Sequence, residues 1–182
     1  SYSGSFDISS VNSICFGLGS ASGVSNSLID DVYVADSGTG FLGDITVYSA
    51  LPTSNTSVQW TPNGAGSNFQ CVNQSAQDGD TTYVSSSTPG QTDLYSCGAF
   101  LPTSVKTVYG AVVTTFARKD DAQNRSIANV IQSNTFQTAG PLLGLPSTYQ
   151  RFSTVFQNDP NTNAPWTPAA LNAASFGIRM VS

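Results

Sequence analysis

The longest β signal in this chain, KTVYGAVVTTFAR from Lys106 to Arg118, limits the available folds more than any other feature. Val108, Val112, Thr114 and Phe116 are β-branched or aromatic, which suits a pleated surface. The polar run Lys119-Asp120-Asp121-Ala122-Gln123-Asn124 then reads as a hairpin tip, and Arg125–Gln132, RSIANVIQ, is expected to return as the partner strand. The same alternation of short strand and turn recurs along the chain. Leu28–Ala35 is a strand candidate and Ser37-Gly38-Thr39-Gly40 a turn. In Leu42–Leu51, Ile45, Val47 and Ser49 share one face while Thr46, Tyr48 and Ala50 share the other, until Pro52 stops the run. Shorter candidates are Val58–Trp60, Phe69–Val72, Thr81–Val84, Asp93–Cys97 and Tyr149–Phe156. A single helix is predicted: Thr167 can cap it, Pro168 suits its first position, and Ala169 to Ala174 continue it. Ser175–Val181 then closes the chain as a strand. Many short strands with regular turn signals predict an all-β fold, an antiparallel β-sandwich of jelly-roll-like form, with one short helix near the C-terminus.

A domain boundary is expected near Gly40. Ile14–Gly19 and Leu28–Ala35 are strand candidates, and two strands alone cannot bury both of their faces. Residues 1–40 are therefore expected to be terminal strands of a larger sheet or an intersubunit packing segment, and residues 41–182 a β-sandwich domain.

Composition narrows the function. Apolar residues make up 39% of the 182, enough for a core, while charged residues are only 9%, against roughly 25% in typical soluble domains. Ten Phe, seven Tyr and two Trp argue against a disordered chain. Ser, Thr, Asn, Gln and Gly take the place of ions, a surface suited to packing in an assembly or to meeting a neutral polar ligand such as a glycan. All 11 acidic residues are Asp, a residue of turns more than of helices. The net charge of −5 comes with no basic stripe, so nucleic acid is not an expected partner, and no stretch is apolar enough to insert as a membrane-spanning helix. Histidine is absent, which removes Ser-His-Asp and Cys-His chemistry from within the chain. The three cysteines, Cys15, Cys71 and Cys97, contain no CxxC pair. They read as three buried free thiols, with one disulfide, Cys71–Cys97, as the other option.

Each remaining constellation has a plain structural reading. Asp30-Asp31 lies in a strand candidate and Asp78-Gly79-Asp80 in a turn. Either could supply calcium ligands, but neither brings the six or more oxygens a site needs. Asp120-Asp121 reads as a solvated tip. No local motif selects a carboxylate pair for glycoside hydrolysis. Trp60 and Trp166 could stack on sugars, though core packing is the expected role of each. Asn55, Asn73 and Asn124 head Asn-x-Ser/Thr triplets, which matter only in a eukaryotic secretory pathway. No catalytic, cofactor-binding or metal residue is therefore expected.

The segments IDDVYVAD, FLGDITV, QWTPNG, DGDTTYVSSSTPGQTDLYS, VYGAVVTTFARKDDAQNRSIANVI and DPNTNAPWTPAALNAASFGIRMV occur in this order between Ile29 and Val181. Together they resemble a family of virion structural proteins of tailed phages. Members of that family usually carry a preceding lectin-like jelly roll of laminin-G or concanavalin type, and Ile14–Ala35 looks like the last two strands of one. The resemblance implies a non-catalytic structural protein on the surface of a bacteriophage virion, as a head decoration or tail component. Its implied partners are other virion proteins and further copies of itself. The alternative is a glycan-binding host-recognition module of a fibre or appendage, with a host surface glycan as partner.

Overall fold

The computed structural model describes residues 45–182. Among these, the strands are β1 (Ser54–Ser57), β2 (Thr61–Asn63), β3 (Tyr83–Ser85), β4 (Thr92–Ser96), β5 (Ala111–Ala117), β6 (Ser126–Ser133), β7 (Phe136–Ala139), β8 (Leu143–Gly144), β9 (Gln150–Phe156), β10 (Asn158–Asp159), β11 (Ala164–Pro165) and β12 (Ser175–Met180). One α-helix, α1 (Pro168–Ala173), and a 3-10 turn at Phe69–Cys71 complete the elements. The fold is all-β with a single short helix near the C-terminus. The helix starts as its sequence predicts, with Thr167 Oγ1 accepting the Ala170 N–H and Pro168 at the first position.

A six-stranded antiparallel sheet runs in the order β1-β4-β12-β6-β7, with β8 also paired to β6. Its two faces differ because side chains alternate along each strand. In β12, Phe176, Ile178 and Met180 point one way and Ser175, Gly177 and Arg179 the other. The register carries this division across the sheet. Arg179 lies between Thr92 and Ala128, Gly177 between Leu94 and Val130, and Ser175 between Ser96 and Gln132. The second layer is the β5–β9 ribbon, paired from Ala111↔Phe156 to Ala117↔Gln150. Its inward residues Ala111, Val113 and Phe156 pack with Ile131, Trp166, Leu171 and Ala174. A smaller cluster joins Trp60, Ile127, Ile178 and Met180, with Ala117 and Phe152 against it. Between the two clusters Asn129, fully buried on β6, donates from Nδ2 to the Val113 carbonyl (3.0 Å) and Thr154 Oγ1 (3.1 Å). It also accepts from Thr115 Oγ1 (2.7 Å), so one side chain fastens β6 to both strands of the ribbon.

Several expectations are corrected. Lys106–Arg118 and Arg125–Gln132 do not form a hairpin: β5 pairs with β9, and β6 pairs with β12, β7 and β8. The segment 119–124 carries the chain from one layer to the other. The ladder of β5 begins only at Ala111, after Gly110. Residues 45–51 of the expected strand Leu42–Leu51 are in no strand. Thr46, Val47, Tyr48 and Ser49 are all exposed, so neither alternating face is buried there. The first described strand begins at Ser54, beyond the Pro52 expected to end one. Val58–Trp60 links β1 to β2, and Phe69–Cys71 is a 3-10 turn. The expected strands Ile14–Gly19 and Leu28–Ala35, the boundary near Gly40, and the lectin-like reading of residues 1–40 lie outside the described residues. Among the described residues the pairing gives one large sheet and three two-stranded ones.

Candidate functional site

The side chains that sequence analysis singled out are held in structural roles. Trp60 and Trp166 are buried, and each indole N–H is tied to a backbone carbonyl, of Gln91 (3.2 Å) and Phe156 (3.0 Å) respectively. Neither face is open to stack on a sugar. Asp78 accepts from Thr82 Oγ1 (2.7 Å). Asp80 accepts from Tyr149 Oη (2.8 Å) and pairs with Arg118 Nη2 (3.0 Å), whose guanidinium stands 5.3 Å from the centre of the Tyr149 ring. The Tyr149 hydroxyl and Arg118 together hold the Asp80 carboxyl below its ordinary value of 3.8. Asp121 pairs with Arg125 one helical-turn spacing away (2.7 Å), so only Asp120 is left of the expected solvated pair. Among the described residues no three Cys or Asp side chains gather as metal ligands. Asp30 and Asp31 lie outside the described residues.

Cys71 and Cys97 are both free thiols, which removes the Cys71–Cys97 disulfide option. Cys71 is buried and donates to the Asn63 carbonyl (3.3 Å). Cys97 is only half-buried, and burial pushes its thiol up from the ordinary value. Cys15 lies outside the described residues. Of the Asn-x-Ser/Thr triplets, Asn55 uses its Oδ1 on the Phe69 N–H (2.8 Å), Asn73 is half-buried, and Asn124 is exposed.

The most deeply buried carboxylate among the described residues is that of Asp93 on β4. Its Oδ1 accepts the N–H groups of Gln59 (2.7 Å) and Trp60 (2.8 Å). Its Oδ2 accepts from Asn68 Nδ2 (2.6 Å) and Tyr95 Oη (2.9 Å). The backbone N–H groups of Gln59 and Trp60 and the side chains of Asn68 and Tyr95 thus use both carboxylate oxygens within the fold. Asp93 clamps residues 59, 60 and 68 onto the sheet.

The open polar surface lies on the opposite face. Thr56, Ser57, Gln59, Gly90, Thr92, Leu94, Gln132, Gln137 and Arg179 line a cleft of about 360 Å³ across β1, β4, β12, β6 and β7. Arg179 donates from Nε to Thr92 Oγ1 (3.1 Å) and from Nη2 to Gln137 Oε1. None of these residues stands out in the sequence. The only trace is the alternation of Ser175, Gly177 and Arg179 in SFGIRM, whose place beside Thr92 and Gln132 appears only once the neighbouring strands are known. The ribbon's outer face has a different character. Val112 is paired with Val155, Thr114 with Ser153 and Phe116 with Arg151, and both valines and Phe116 are more than half exposed.

No helix among the described residues is long and apolar enough to cross a membrane. No protein-family model, curated protein or solved structure matches the chain.

Proposed function

We propose that this chain is a non-catalytic structural protein of a bacteriophage virion, exposed on the particle surface as a head decoration or tail component. The observation that carries the reading is the outer face of the β5–β9 ribbon. Val112, Phe116 and Val155 stand exposed on a two-stranded sheet with no further strand on either side among the described residues. Apolar surface of this kind gains about 25 cal/mol per Å² when covered, and open strand edges accept further pairing. Other virion proteins and copies of this chain are the proposed partners, and low charge suits dense repetitive packing. The resemblance of the segments between Ile29 and Val181 to tailed-phage virion proteins supports the same reading. Negative-stain imaging of particles with a labelled antibody against this chain tests it. Signal repeated over the head or along the tail is expected, and particles that carry none of the protein would refute it.

One observation favours the second reading, a glycan-binding host-recognition module of a fibre or appendage. The cleft around Arg179 is lined by amides and hydroxyls, the groups that match sugar hydroxyls. Antibody signal confined to the appendage tips would support it over decoration.

A further inference from the structure

The cleft on the polar face of the large sheet has more donors than its own residues use. Arg179 is half-buried, and unlike Arg118 and Arg125 it has no carboxylate partner among the described residues. Its Nε and Nη2 are engaged by Thr92 and Gln137, which leaves Nη1 without an acceptor among the described residues. The orientation of two flanking amides is fixed by what they accept. Gln59 takes the Thr92 N–H on Oε1 (2.6 Å), so its Nε2 is the free end. Gln137 takes the Arg179 guanidinium on Oε1, so its Nε2 is free as well. Gln132 is turned the other way, donating Nε2 to the Asn134 carbonyl (3.1 Å) and leaving Oε1 as an acceptor. One guanidinium edge, two amide donors and an acceptor thus line one cleft, with the Thr56 hydroxyl beside them.

We propose that this cleft binds a saccharide bearing a single carboxylate, of the uronic-acid type, with the carboxylate on Arg179 and the sugar hydroxyls on Gln59, Gln132 and Gln137. The planar guanidinium fork suits a carboxylate, and hydrogen bonds to ionised groups are the stronger kind. One cation balances one negative charge. A phosphate dianion would be left half-neutralised, and a polyanion would meet the chain's net charge of −5. Neutral amides and hydroxyls match a polyhydroxylated scaffold better than an apolar one. The inference rests on the recognition reading and narrows it to an acidic ligand and a defined place.

The test titrates the full 182-residue chain with aldotriouronic acid, a xylobiose bearing one glucuronic acid and so a single carboxylate, and separately with xylotriose as the neutral counterpart, by calorimetry and by backbone amide shifts. Saturable binding of the acidic trisaccharide is expected, with shifts at Thr92, Gln132, Gln137 and Arg179. Arg179→Gln should weaken it about tenfold or more, the loss of one charge-assisted bond. Gln137→Ala should weaken it by a smaller factor. Arg179→Lys, which keeps the charge but not the fork, guards against a glutamine variant that fails to fold and should also bind more weakly. Unchanged affinity in a folded Arg179 variant, or shifts remote from the cleft, would overturn the proposal. Binding of xylotriose without aldotriouronic acid would overturn it and leave the recognition reading standing. Binding of neither would overturn it and count against that reading too.

Discussion

Asp93 shows how few charges this fold needs. No lysine or arginine pairs with it among the described residues, yet it is fully buried. Its four acceptor positions meet four donors from Gln59, Trp60, Asn68 and Tyr95. Removing the carboxylate leaves those donors buried and unsatisfied, a penalty of about 1–3 kcal/mol per group before relaxation. Asp93→Ala is therefore expected to lower the unfolding free energy by on the order of 3 kcal/mol, read from the shift of the urea midpoint at unchanged slope. Tyr95 gives the same site a pH dependence. Burial first, and the Asp93 carboxylate second, push its phenol above the ordinary 10.0. The folded state thus holds a proton that the unfolded chain releases. Stability from this group is complete below pH 10 and falls as pH rises beyond it. Tyr95→Phe should start from a less stable protein, having lost one bond to Asp93, and lose less stability between neutral and alkaline pH. Equal slopes for the two proteins in alkaline denaturation would contradict this.

At the scale of elements, the two strands with the strongest sequence signal belong to different layers. KTVYGAVVTTFAR and RSIANVIQ both form strands, since β-branched alternation reports a half-buried extended segment. It does not report the partner. That choice depends on Asn129, Ile131 and the ribbon residues Val113 and Thr154, which meet only after the chain has crossed between layers. The α1 cap was legible because Thr167 and Pro168 act within one turn. The strands β7, β8, β10 and β11 were not, being too short to show a period. The cleft was hidden for the same reason as the pairing, since its residues come from five strands. Asn129→Leu is expected to cost about 1–3 kcal/mol by orphaning the Val113 carbonyl and the Thr115 and Thr154 hydroxyls. Amide exchange should then quicken in β5 and β9 more than in β4 and β12. Gly177 sets a second limit between elements, because a Cβ there would lie 1.8 Å from the Asp93 carbonyl oxygen. Gly177→Ala should force β4 and β12 apart and destabilise the sheet by about 3 kcal/mol, at the upper end of overpacking costs. Native-like thermal stability in that variant would contradict the close approach.

At the scale of the whole molecule, the exposed pair Val112 and Val155 predicts that the chain associates with itself. Sedimentation velocity should show mass rising with concentration, and Val155→Asp should reduce it while leaving the far-ultraviolet spectrum unchanged. A wild-type chain that stays monomeric at every concentration would remove the ribbon face as support for assembly. The position of β12 has a different consequence, one of timing. This strand lies between β4 and β6 in the middle of the large sheet, and its Arg179 bonds to Thr92, 87 positions earlier. Pairings so distant along the chain form slowly. During synthesis β4 and β6 both leave the ribosome before the strand that separates them exists. The large sheet cannot grow outward from its first strand, and it closes only when Ser175–Met180 has emerged. A ribosome that stops short of those residues releases a chain whose β4 and β6 lack the strand that joins them.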